Sequence, residues 1–423
     1  MQKKLIALAI AGLASTGALA QTNVTIYGVV DAFYANVQSS QVVSAANPTG
    51  KDNKFSGLAG GGLSGSRLGF KAEEDLGGGW KAGTMLEFGT LQPDGGAQAG
   101  AASSSGLQNI RQSNVFVSSA SLGTFQAGRI YTAGTNAAGK FDPEAASSFG
   151  PVSRITGGLG LSVDGGASTS NARVNNSIAW LSPNWKGFSG QLQYAFGENG
   201  EQTKAAAAGA AVPGNAGTAA TPGGNSDDAR MWGLGIDYTN GPLAVGFAYN
   251  DWNDYGGTSG AVGSTSRELT EWFIGASYDF GMAKLFASYQ DFSMDNMTTA
   301  GTQGATSAAV TGTAGAKSDG DIWSVGATVP VMKAGTVTLT YASLDRTTRA
   351  GTGLAKMGAD ADGWGISYRH ALSKRTTAYV GYTQLDNGSK TNPLSTLGVG
   401  SGIATPSAGG DSSGYGMGLR HTF

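Results

Sequence analysis

A two-residue alternation of apolar against small or polar side chains, repeated along the chain, limits its possible folds more than any other feature. Leu243, Val245, Phe247 and Tyr249 fall on one face of an extended segment; Ala244, Gly246, Ala248 and Asn250 fall on the other. Val337, Leu339 and Tyr341 oppose Thr336, Thr338 and Thr340. At the end, Tyr415, Met417, Leu419 and Phe423 oppose Gly414, Gly416, Arg420 and Thr422. Successive side chains of a β-strand point to opposite faces, so each run reads as a strand with one apolar face. Sixteen runs of this kind are expected: 23–37, 65–76, 79–90, 110–121, 123–130, 173–182, 187–198, 229–239, 242–253, 267–280, 282–295, 319–330, 333–346, 360–371, 374–387 and 412–423.

The connections alternate in length. Leu76-Gly77-Gly78-Gly79, Ser121-Leu122-Gly123, Asn240-Gly241-Pro242 and Asp279-Phe280-Gly281 are tight turns with the residues turn chemistry prefers. Segments 38–64, 91–109, 199–228, 296–318 and 388–411 are long and dominated by Gly, Ala, Ser, Thr and Asn. The longest stretch without a period inside the pattern, Tyr131–Ala172, would argue against the strand assignment in a compact soluble domain. In a hollow barrel it has room to fold inward. A soluble sandwich also alternates, but open sheets rarely exceed about ten strands without splitting or curling. An even strand number with short turns on one side and long loops on the other is the pattern of an outer-membrane barrel. Closure matters there, because an open edge in lipid leaves backbone groups unpaired. The expected fold is therefore all-β: a 16-stranded antiparallel transmembrane β-barrel with an inward-folded third loop. Trp80, Trp185, Trp232, Trp252, Trp272, Trp323 and Trp364, near strand ends, fit interfacial girdles, although ordinary packing accounts for some of them equally well.

The first 20 residues read as an export signal: Lys3-Lys4, an apolar segment Leu5–Leu13, and Ala18-Leu19-Ala20 as a cleavage site. The apolar run is shorter than the roughly 20 residues a spanning helix needs. The expected organisation is a signal peptide over 1–20 and a barrel over 21–423.

Composition excludes several classes. Glycine, at 70 of 423 residues, is more than twice its usual share, without a collagen period. There is no cysteine, hence no disulfide or thiolate metal site. A net charge of −2 with no basic block gives no footprint for nucleic acid. His370 and His421, on separate strands, form neither a metal cluster nor a nucleophile–base array, so no catalysis and no cofactor is expected. Asp360-Ala361-Asp362-Gly363 and Asp319-Gly320-Asp321 hint at calcium loops but lack the distal glutamate. An adhesin or autotransporter would need a passenger, and no residues are left over for one.

Short motifs add a family. Val24–Ala32 (VTIYGVVDA), Ser66–Lys71 (SRLGFK) and Glu74–Gly79 (EDLGGG) resemble the first strands and first turn of Gram-negative general porins of the beta-proteobacterial type. Arg111-Gln112-Ser113, Leu122-Gly123-Thr124 with Gly128-Arg129, and Ser182-Pro183-Asn184 continue the resemblance. So do Tyr278–Gly281 with Ala283–Leu285, Ala371–Thr376 and Gly418–Phe423. The matches run through the mature chain in order. The resemblance implies a homotrimer in the outer membrane, a pore in each monomer, a third loop acting as constriction, and a terminal Phe423 read by the assembly machinery.

Lumen residues follow partly from periodicity. Leu68, Phe70 and Ala72 share an apolar face, which turns Arg67, Gly69, Lys71 and Glu73 inward. Val174, Ile178 and Trp180 likewise turn Arg173, Asn175 and Ser177 inward, and Glu87 lies opposite Leu86 and Phe88. Strict alternation places Arg111 on the face of Val115 and Val117, so it needs a bulge or a position above the lipid zone to reach the lumen. The resemblance places Arg67, Arg111 and Arg173 in a basic cluster on the pore wall, with Glu87 as a facing carboxylate. Asp142, Glu144 and Asp164 are candidates for the opposing loop side, and Arg154 is a loop cation of unassigned direction. The competing reading pairs these arginines within the wall. Exposed to the pore, they imply a weak anion preference in a channel for passive diffusion of ions and small hydrophilic solutes. A substrate-specific channel stays open as the alternative, with a barrel-type hydrolase the weaker one.

Overall fold

The computed structural model describes residues 23–40, 50–89, 93, 110–155, 172–196, 230–253, 268–297, 316–349, 357–358, 360–388 and 410–423. The export signal and Asp164 lie outside them. Eighteen strand segments form one sheet. In chain order they are β1 (Asn23–Ser39), β2 (Asn53–Gly60), β3 (Arg67–Gly77), β4 (Trp80–Phe88), β5 (Ile110–Ser119), β6 (Gly123–Tyr131), β7 (Arg173–Leu181), β8 (Phe188–Ala195) and β9 (Met231–Asn240). There follow β10 (Leu243–Asn253), β11 (Glu268–Asp279), β12 (Lys284–Met297), β13 (Ala316–Val331), β14 (Gly335–Arg349), β15 (Met357–Gly358), β16 (Ala361–Ala371), β17 (Thr376–Asn387) and β18 (Ser412–Thr422). Among the described residues, two helices, α1 (Ala133–Phe141) and α2 (Pro151–Ile155), sit between β6 and β7.

The segments make sixteen barrel strands among the described residues. β2 and β3 pair with successive halves of β1 and form one strand interrupted over 61–66. β15 and β16 both pair with β14. All neighbours are antiparallel, and β1 pairs with β18 from Val29↔Thr422 to Ser39↔Ser412, which closes the ring. Closure satisfies the backbone of every edge, the condition for a sheet to stand in lipid.

The alternation points its apolar face outward. Leu339 is 46% exposed while Thr338 beside it is fully buried, and Met417, Leu419, Val115 and Ile274 join Leu339 on the outer surface. Such a continuous apolar belt has no place on a water-soluble particle. Across adjacent strands, Trp272–Tyr289, Trp323–Tyr341 and Trp364–Tyr382 pack ring against ring on that face. Trp252 departs from the girdle expectation: it is 9% exposed and belongs to an inward cluster with Leu269, Phe292 and Ile322. It shares a strand face with Ala248 and Asn250, both buried, so period two puts it inside.

The hydrophobic core lies against the inner wall, where chain folds in. Residues 132–155 of the third long connection run along it. Thr132 caps α1, its Oγ1 accepting from the Thr135 amide at 3.2 Å. Phe141 at the end of α1 packs on Phe273 and Ala248. A Cβ at Gly246 or Gly275 would come within 2.4 or 2.5 Å of the Phe141 ring, so these wall glycines make the seat. Further along, Phe149 packs with Phe33 and Tyr379 and lies over Gly381. The interruption 61–66 meets it from the other side: Ser148 donates its amide to Gly62 O at 2.8 Å. Asp31 holds that interruption, accepting from the Leu63 and Ser64 amides at 2.9 Å each and from the Tyr379 hydroxyl.

Candidate functional site

The cluster begins where β3 leaves the 61–66 interruption. Arg67, the first residue of β3, donates Nε to Gly65 O at 3.1 Å and sets Nη1 3.9 Å from Glu87 Oε1. Glu87 comes from the inner face of β4 and is 3% exposed. Arg111 reaches it through a bulge. The β4–β5 register slips from Glu87↔Gln112 to Phe88↔Ile110, which leaves Arg111 as the extra residue. Its Nε then donates to Glu87 Oε1 at 2.6 Å and its Nη2 to the Tyr131 hydroxyl at 2.8 Å. Tyr27, on β1, donates to Glu87 Oε2 at 3.1 Å. Its ring lies over Gly69, where a Cβ would stand 2.1 Å from the ring. One carboxylate thus gathers two arginines and a phenol.

Arg173 enters by a different route from the one periodicity gave. Ile178 faces out at 48% exposed, but Val174 is buried in the inner cluster. The β6–β7 register slips between Gly128 and Ile130, and Asn176 has a left-handed φ of 46°. That irregularity shifts the alternation. Arg173, the first residue of β7, pairs in register with Tyr131, the last of β6. Its guanidinium stacks over the Tyr131 ring at 4.7 Å and donates Nη2 to the hydroxyl at 3.1 Å.

The loop carboxylates stand apart from this cluster. Asp142 caps α1 and accepts from the Glu144 amide at 3.0 Å and the Ala146 amide at 2.7 Å. Burial of its carboxylate pushes its pKa up to about 6, and the nearby Glu144 charge adds to the rise. Glu144 is fully buried; it pairs with Arg369 of β16 and accepts from Ser147 Oγ at 2.5 Å and Ser367 Oγ at 2.6 Å. Lys140 meets Asp237 of β9 at 2.5 Å. The side chain of Arg154 lies outside the described residues.

Tyr27, Tyr131, Ser367 and Arg369 are given no site role by the sequence. Nothing in periodicity ties Tyr27 to Glu87 across 60 positions or Arg369 to Glu144 across 225. Among the described residues, no group of three His, Asp or Glu side chains is arranged to hold a metal ion. His370 Nδ1 pairs with the Tyr368 hydroxyl at 2.7 Å, and His421 Nδ1 with Thr376 Oγ1 at 2.9 Å.

Known proteins share this arrangement of elements. The Gram-negative porin family profile matches residues 7–390. Outer membrane porin protein 32 of Delftia acidovorans is 34% identical over 285 residues, 67% of this chain and 68% of that protein. An outer membrane porin protein of Bordetella pertussis is 29% identical over 293 residues, 68% of this chain and 69% of that one. Among solved structures, the anion-selective porin from Comamonas acidovorans superposes with a TM-score of 0.68 at 28% identity, over 95% of this chain and 100% of that one.

Proposed function

Because the chain belongs to the Gram-negative porins, we propose that its outer-membrane channel weakly prefers anions and that Arg67, Arg111 and Arg173 set the preference. The observation that carries this is the charge count in the cluster. Two guanidinium groups, those of Arg67 and Arg111, approach the carboxylate of Glu87 and a third, that of Arg173, joins them through Tyr131, while Asp142 and Glu144 spend their charge on their own turn and on Arg369. Excess positive charge at a narrow point in a low-dielectric wall is focused into the bore and raises the local concentration of anions. The chain's overall charge of −2 does not oppose this, since it sums residues far from the narrowing. The solved Comamonas porin, described as anion-selective, supports the same sign.

We read the inward third loop as the constriction. It starts at Thr132, one residue after Tyr131, and crosses inside the barrel to Phe149 against Gly381. Narrowing and charge therefore arise at the same place in the chain. Passage through such a pore needs a bore and a field, with no bond made or broken. We read the protein accordingly as a passive diffusion channel for ions and small hydrophilic solutes rather than an enzyme. We further propose a homotrimer, a signal peptide over residues 1–20 removed on export, and recognition of Phe423 by the assembly machinery before the barrel closes.

The test replaces Arg67, Arg111 and Arg173 by alanine one at a time and measures the zero-current potential in a KCl gradient across planar bilayers. Each substitution should move the potential toward cation preference. Three unchanged potentials would end the proposed role of the cluster.

A further inference from the structure

We propose that the Tyr131 hydroxyl is the hydrogen-bond donor that a passing anion meets in the constriction, so that strongly accepting anions, carboxylates above all, are the favoured class. The proposal rests on the reading of the arginine cluster as the selectivity site and adds a directional contact to it.

A phenol oxygen accepts at two lone pairs and donates one proton; a guanidinium only donates. Arg111 Nη2 at 2.8 Å and Arg173 Nη2 at 3.1 Å therefore both donate to Tyr131 Oη and fill its accepting capacity. Its proton has no acceptor among the described residues. Glu87, the one carboxylate at hand, is occupied by Arg111 on Oε1 and by the Tyr27 hydroxyl on Oε2. Tyr27 thus spends its proton inside the wall and Tyr131 does not. Tyr131 is only partly buried, and so are the hydrogen bonds that its hydroxyl receives from Arg111 and Arg173. Two charged donors on one oxygen draw density from it, and hydrogen bonds in such chains strengthen one another. The result is a strengthened O–H donor held in place by the Arg173 guanidinium stacked 4.7 Å over its ring.

Charge alone treats anions of equal valence alike apart from size. A directional O–H donor ranks them by acceptor strength. The experiment measures reversal potentials of the full-length channel in planar bilayers with acetate on one side and perchlorate on the other. In the unsubstituted channel the acetate-to-perchlorate permeability ratio should exceed the ratio of free mobilities in water; a ratio at or below it overturns the proposal without any variant. Tyr131→Phe keeps the ring and its stack and removes the hydroxyl, and with it the acceptor that Arg111 and Arg173 share. It should lower the acetate-to-perchlorate ratio while the KCl potential keeps its anionic sign. An unchanged ratio overturns the assignment of the hydroxyl. Arg173→Ala separates the two layers: if it moves the KCl potential while Tyr131→Phe leaves the anion ratio alone, only the hydroxyl assignment fails. If Arg67→Ala, Arg111→Ala and Arg173→Ala all leave the KCl potential where it was, the reading beneath the proposal fails as well.

Discussion

At the scale of single residues, inward position and pore chemistry part company. Alternation turned Arg67 and Glu87 inward, and both lie in the cluster. Arg111 was readable only as a residue that needed a bulge or a place above the lipid zone, and the slip at Phe88↔Ile110 is a bulge. Bulges cost a strand one residue of register and leave little mark on composition, so the slip that frees Val174 from the outer face was not legible. Asp142 and Glu144 were legible as loop acids and nothing more, because their partners are backbone amides and a strand 225 positions away. Asp142 carries a pH dependence. Its pKa stands at about 6 against an ordinary 3.8, so the docked loop favours the protonated acid. The docked arrangement is favoured most below about pH 4 and loses stability as pH rises through about 6, by at most about 3 kcal/mol at 1.36 kcal/mol per unit. The chain has no cysteine, and Gly139 has open space around it, so Gly139→Cys carries a spin label cleanly. The label should gain mobility between pH 4 and 7 and then level off, and Asp142→Asn should flatten the profile. A profile indifferent to pH in the unsubstituted loop would refute this account of Asp142.

At the scale of elements, strands were far more legible than the chain that fills them. The run expected at 242–253 is β10 (Leu243–Asn253), and 412–423 is β18 (Ser412–Thr422), because lipid on one side and water or small side chains on the other enforce period two. Asn53–Gly60 escaped notice; its Asn, Ser and Gly residues lack an apolar face, and pairing with the upper half of β1 makes it a strand. Helix α1 was invisible for a related reason. Its sequence, AGTNAAGKF, has no apolar stripe, and tertiary contact through Phe141 supplies what propensity does not. The wall glycines are the complementary half of that contact. Gly275→Ala places a methyl 2.5 Å from Phe141, an overpacking that costs roughly 1–3 kcal/mol. Thermal unfolding should register that loss, and Phe141→Leu in the same chain should recover part of it. Strictly additive losses would show that the two positions do not touch.

At the scale of the whole molecule, one apolar belt, one closed ladder and one inward segment account for the architecture. The last residue completes the ladder: Phe423 and Gly28 exchange backbone hydrogen bonds at 3.1 Å in both directions, and the Phe423 ring covers Gly28. Phe423→Ala keeps those backbone bonds and removes the ring. The purified chain should therefore refold in detergent, while its accumulation in the outer membrane falls; equal accumulation would contradict recognition of the terminal side chain. The ring of strands leaves water a path, and on the proposed reading the arginine cluster beside residues 132–155 gives that path its sign. The zero-current potential of the unsubstituted channel in a tenfold KCl gradient tests this most directly. The account predicts a potential on the chloride side of zero that shrinks as salt is raised and the wall charges are screened. A potential on the potassium side, or one at zero throughout, would contradict it.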